Sequence, residues 1–441
     1  MNYRVAVLLF FMTLGGADAH SQPKTDQHDA DYVGATVFDG TGAAALPDMV
    51  VVTRAGRIAA ILSASGYRAQ PGVRVVNVRG KFMIPGLINS HVHLATSAKP
   101  AAARAYLRRE LYSGVTAVRD MAGDVRLLGE LKREAEFDEI ASPDIYYAAV
   151  MAGPAFFVDR RTQQAARGRI AGDAPWMQSV TAETDLPLAI AQARGTGATG
   201  IKVYADVDAS LLDAISAEAH RQHMLVWAHA AVFPARPSEV ADAGVDVISH
   251  ACMLGYEVSD PIPQAAMHPP VPVDAKKLAQ PNARFTALLA DMKKRGTILD
   301  ATLYVYHVDD SGVDCKYSLS ARLAGEAYRA GIPLSTGTDD EPGDSKDAYS
   351  ALMQELVLLV EGAGMTPKDA VLAATINGAR TIGREKDMGS IEVGKIADFV
   401  VLDKDPLKDI RNIPSVYVTV KHGIGYPRRS YQAPALQTHP R

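Results

Sequence analysis

Short apolar runs alternate with amphipathic stretches through the interior of the chain. The strand-like runs are Met83–Ile88, Thr116–Asp120, Ile145–Val150, Gly200–Tyr204, Leu225–His229, Val245–His250, Ile298–Tyr304 and Pro333–Thr338. Between several of them lie patterns with helical spacing: Ala101–Tyr112, Leu127–Phe137, Leu211–His220 and Arg322–Ala330. Eight strands alternating with helices predict an α/β fold, a (β/α)8 TIM barrel. A doubly wound open sheet shares this alternation. The barrel is favoured because the chemically interesting residues all fall at the C-terminal ends of strands, where barrels build their sites.

The two ends of the chain carry a different pattern. Gly34–Phe38, Asp48–Val52 and Ile58–Ile61 are short β-like runs punctuated by turns at Asp39-Gly40 and Ala55-Gly56. Similar runs return at Ala397–Leu402 and Ser415–Val420. Neither end holds enough strand for a fold of its own. The expectation is a small composite β-sandwich from residues 32–80 and 385–425, with the barrel of residues 81–384 inserted between them. Two connections are long. Met151–Glu183 contains Phe156, Phe157 and Trp176, while Cys252–Asn282 is rich in Pro and contains Met267 and His268. Both are expected over the barrel mouth, where such loops shape access; a decorative insertion or an oligomer contact is the plainer reading.

Composition adds bounds. The 441 residues are 48% apolar and 22% charged, with a net charge of −4. That is ordinary for a globular protein and gives no signature of a nucleic-acid or polybasic membrane partner. Met1–Ala19 reads as a secretory signal: Arg4, the apolar run Val5–Leu14 and an Ala17-Asp18-Ala19 cleavage site. Its apolar run is too short to span a bilayer; a buried N-terminal helix is the alternative. A periplasmic or secreted protein is therefore expected, free of the membrane after cleavage. Export permits a disulfide between Cys252 and Cys315, and two free thiols fit equally well.

The chemistry begins in Pro85-Gly86-Leu87-Ile88-Asn89-Ser90-His91-Val92-His93. Residues two apart on a strand share a face, so His91 and His93 can hold one metal ion together. Lys202 closes an apolar run, where an ammonium resists burial. Deprotonated and combined with CO2, it becomes a carbamate whose two oxygens can bridge cations. His229 and His250 end consecutive strands, each one βα unit beyond the last candidate. Asp339 follows the eighth run, with Asp340 expected to face the other way. Taken singly, each of these residues has an ordinary structural reading: a core histidine, a snorkelling lysine or a turn cap. Together, His91, His93, Lys202, His229, His250 and Asp339 suit two divalent ions, with zinc first. Two such ions sharing a hydroxide would supply a nucleophile near neutral pH. Asp339 is the catalytic proton carrier in this reading.

These segments resemble the amidohydrolase superfamily, in its binuclear branch with a carboxylated lysine on strand four. The likeness runs from about Tyr32 to Gly423. It includes Val118-Arg119-Asp120-Met121-Ala122-Gly123, similar to a strand-two motif of a supporting shell. Thr375–Arg380 and Gly389–Asp398 resemble the C-terminal signature. The resemblance implies metal ligands at His91, His93, Lys202 (as N6-carboxylysine), His229, His250 and Asp339. The Ile-Lys-Val-Tyr context looks most like prolidase-like dipeptidases and related amidases. The expected activity is hydrolysis of an amide or peptide C–N bond in a dipeptide or N-acyl amino acid. A lactonase, carbamate hydrolase or deaminase could use the same site, and a non-catalytic binding protein the same barrel. The expected partner is a small-molecule or peptide substrate; a homo-oligomer stays open.

Overall fold

The computed structural model describes residues 28–97, 99–264, 272–279, 281–309, 315–343 and 348–433. The signal-like segment, Met267 and His268 lie outside them.

Eight parallel strands form the barrel: Leu87–Val92, Val115–Asp120, Asp144–Ala152, Gly200–Val203, Leu225–His229, Val247–Ser249, Ile298–Asp300 and Leu334–Ser335. The first and eighth strands meet through Ser90 N–H to Thr336 O at 2.7 Å and Asp339 N–H to His91 O at 2.9 Å, which nearly close the ring. Helices cover it by ordinary amphipathic logic. In Val125–Glu136, for example, Leu127, Leu128, Leu131 and Ala135 turn inward at helical spacing, and the Asp124 side chain caps the start. Among the described residues no helix is long and apolar enough to cross a membrane.

The chain ends build a separate eight-stranded sheet. In it Ala30–Val37 joins Leu46–Arg54, Arg74–Asn77 and Phe82–Pro85, and the last of these pairs with Phe399–Leu402 of the C-terminal part. Tyr32, Met83, Phe399 and Val401 are buried together in its core.

The expected strand Met83–Ile88 is two strands. Phe82–Pro85 belongs to the terminal sheet and Leu87–Val92 to the barrel. Gly86 marks the handover, because a Cβ there would lie 2.2 Å from the Thr116 hydroxyl. Ile298–Tyr304 is also shorter than expected: the strand stops at Asp300, Thr302 takes φ 51°, and Leu303–Val308 is helical.

Candidate active site

The six predicted residues meet at the C-terminal end of the barrel. His91 lies in the first strand, and His93 just past its end. Their Nε2 atoms stand 3.4 Å and 2.9 Å from Asp339 Oδ1. His250 follows the sixth strand with φ 73°, and Asp339 lies beyond the eighth with φ 56°. Both take left-handed backbone that few non-glycine residues adopt. His250 Nδ1 is 3.7 Å from Asp339 Oδ2 and 3.0 Å from Thr302 Oγ1. The His229 ring packs edge-on between Tyr204 and His250, its centroid 4.6 Å from each. Lys202 is wholly buried in the fourth strand and donates to Ser249 Oγ at 3.2 Å.

A cation fits this donor set. His91, His250 and Asp339 offer one ligand atom each within 4.8 Å of one another. Several imidazole nitrogens face one carboxylate, an arrangement that calls for positive charge among them. Without a metal, protons take that place. Burial alone would lower His93, yet the Asp339 hydrogen bond and charge raise it to about 8. Burial would raise Asp339, but His91, His93 and His250 hold it well below the usual carboxylate range. His91 goes the other way, lowered chiefly by burial. Burial also pushes Lys202 down to about 7, favouring the uncharged amine.

Asp340 points away from Asp339. It accepts from the Thr338 hydroxyl and from Tyr106 OH at 2.5 Å, and Arg109 stands 3.9 Å away. Sequence reasoning missed Asp300, which is fully buried and contacts His91, Arg119 and Ser249. The signal was present: an acidic residue ends an apolar run at the seventh strand, the same cue that drew attention to Lys202.

The donors line a cavity of about 520 Å³. Both long connections contribute to its wall. Phe156 and Arg161 come from the one after the third strand, and Met253 from the one after the sixth. Phe156 stacks on Tyr204 with centroids 4.9 Å apart. Tyr306, beyond the seventh strand, also lines the cavity. A disulfide joins Cys252, two residues past His250, to Cys315 on the cavity wall.

Fold and site together define a (β/α)8 barrel with a cation-ready donor cluster at its mouth. The sequence profile of the Amidohydrolase family matches residues 82–424, and the chain belongs to that family of hydrolases. Imidazolonepropionase of Shouchella clausii (strain KSM-K16) is 45% identical over 74 residues, 17% of this chain and 16% of that protein. Ochratoxinase of Aspergillus niger is 38% identical over 86 residues, 19% of this chain and 17% of that protein. The matched stretches thus span only a small part of these relatives. Solved structures match over far more of the chain. A Xaa-Pro dipeptidase with methionine in its active site has a TM-score of 0.72 at 20% identity, covering 90% of this chain and 100% of the other. The A. niger ochratoxinase structure has a TM-score of 0.70 at 20% identity, covering 92% and 97%. At such identities the likeness is one of fold.

Proposed function

We propose that this protein is a metal-dependent hydrolase that cleaves the amide C–N bond of dipeptides or N-acyl amino acids. The observation that carries the reading is the convergence of His91, His93 and His250 nitrogens on the Asp339 carboxylate beside a cavity at the barrel mouth. His91, His93, His229, His250 and Asp339 are the ligands in this reading. Lys202 joins them as N6-carboxylysine, its neutral amine adding CO2 with loss of one proton. Mixed nitrogen and oxygen donors suit a pair of zinc ions. When bound, such ions polarise the scissile carbonyl and acidify water.

The protein's own groups do the rest. Asp339 takes the proton from the attacking water and delivers it to the leaving amine. Phe156, Tyr204 and Met177 give one wall an apolar lining for a bulky side chain. Arg161 also lines the cavity, its guanidinium paired with Asp159 at 3.0 Å. We also propose export to an oxidising compartment, supported by the signal-like N-terminus and the buried Cys252–Cys315 bridge.

The test is a panel of dipeptides, N-acyl amino acids, lactones and carbamates offered to the zinc-loaded mature chain. Amino-acid release from amides, abolished by a chelator and restored by zinc, is expected. A zinc-bound protein that turns over none of the amides defeats the proposal. Lys202→Ala should lose at least one bound ion, read by metal analysis; full occupancy with full turnover would rule out the carbamate.

A further inference from the structure

We infer that Asp300 is a positioning residue that sets the tautomer of His91 and holds the Lys202 amine in place. The seventh strand delivers this carboxylate, wholly buried, to a point between the two candidate ligands. Its Oδ2 lies 2.8 Å from His91 Nδ1. A carboxylate oxygen accepts, so the ring must donate from Nδ1, and Nε2 faces Asp339 with its lone pair. The same oxygen accepts from Ser249 Oγ at 3.2 Å, and Ser249 accepts from Lys202 Nζ at 3.2 Å. One carboxylate therefore orients an imidazole of the first strand and, through a hydroxyl, an amine of the fourth.

Arg119 makes the arrangement tenable. A buried carboxylate needs a countercharge, and Arg119 stands 3.1 Å from Oδ2. It is itself fixed by donating to Ser90 O at 2.5 Å and by packing on the Trp227 ring. Gly337 completes the fit. A Cβ there would lie 2.3 Å from Asp300 Oδ1 and 2.5 Å from His91 Cβ, so the absence of a side chain lets these two residues approach.

The inference rests on the metal-centre reading above, but its readouts need no substrate. In the cation-free full chain, ¹⁵N spectra of labelled histidine show which His91 nitrogen carries the proton, with His91→Gln identifying the signal. Nδ1 protonation is expected in the native chain. Asp300→Asn should shift the proton toward Nε2 and weaken zinc binding by about 10–100-fold in chelator competition. A folded D300N variant with the native tautomer and native zinc affinity would overturn the assignment. If the uncompensated Arg119 unfolds D300N, the double variant Arg119→Met with Asp300→Asn removes both charges and is read the same way. Ser249→Ala tests the other arm: the carbamate signal from ¹³C-bicarbonate should fall several-fold, and an undiminished signal would remove Lys202 from the proposal. Failure of amide turnover with the expected tautomer and zinc binding would instead count against the substrate reading alone.

Discussion

Two clusters of aspartate and histidine lie at opposite ends of the barrel strands, and they are built for different ends. His91, His250 and Asp339 occupy the C-terminal mouth; Asp144, Asp398 and His422 lie where the third strand begins and the terminal sheet docks. Each trio brings its donor atoms within 4.8 Å. The lower one already contains its cation, because the buried Lys421 ammonium stands 2.9 Å from Asp144. His422 Nε2 is also 2.9 Å from Asp144, and its backbone N–H donates to Asp398 at 2.7 Å. That cluster ties the third barrel strand to the terminal sheet. The upper lysine is bonded to the Ser249 hydroxyl, and its neighbours open onto the cavity. Residue type alone does not separate a clamp from a reactive centre; what separates them is whether an internal cation already answers the negative charge.

The largest break in this contrast is expected from Asp339→Asn. Loss of the proposed proton carrier should reduce turnover roughly 10³-fold while leaving the melting temperature within a few degrees; a kcat close to native would show that the mouth does not work as proposed. Lys421→Met should do the reverse. Removing one partner of a buried ion pair costs about 3–5 kcal/mol of stability, visible in urea unfolding, while the folded fraction keeps its kcat. A Lys421→Met chain of native stability would mean that the lower cluster is no clamp.

The smallest expected effect is a pH dependence of the clamp's stability. Burial would lower His422, but Asp144 outweighs it and raises the imidazole, so this contribution is full below the ordinary histidine value and fades as pH rises through the raised one. Burial would raise Asp144, but Lys421 and His422 outweigh it and hold the carboxyl down. Its contribution is present above the ordinary aspartate value and is lost as pH falls through the lowered one. Asp398, raised to about 6 mainly by burial, opposes folding increasingly as pH climbs from the ordinary aspartate value to about 6, above which its penalty is constant. Stability should therefore decline as pH rises from the ordinary histidine value through the raised value of His422, and His422→Gln should flatten that decline. An equally steep profile in that variant would place the pH dependence elsewhere.

Much of this was legible in the chain. Apolar runs located the barrel strands, and the polar residues that ended them located His229, His250 and Lys202. Boundaries were less legible where tertiary contacts decide them. Nothing in the composition of Met83–Ile88 says that its halves join different sheets; that depends on distant partners, Phe399–Leu402 for the first half and Val115–Asp120 for the second. Strand periodicity also gave the right orientation for Asp340 on the wrong grounds. The eighth strand ends at Ser335, and Asp340 turns away because Tyr106 and Thr338 hold it. Asp300 escaped notice because the seventh run was read on to Tyr304, which put this residue in mid-strand; the strand in fact ends at Asp300, among partners from three other strands.

The Cys252–Cys315 link closes a loop of 63 residues beside His250. In the chain-entropy account such a closure is worth about 4 kcal/mol. Material made in a reducing cytosol would lack this brace, with the rim around His250 loosened although the barrel below keeps its strands. Oxidative refolding or secretion during production should therefore precede any comparison of specific activities, since two preparations of identical sequence can differ in this one covalent feature.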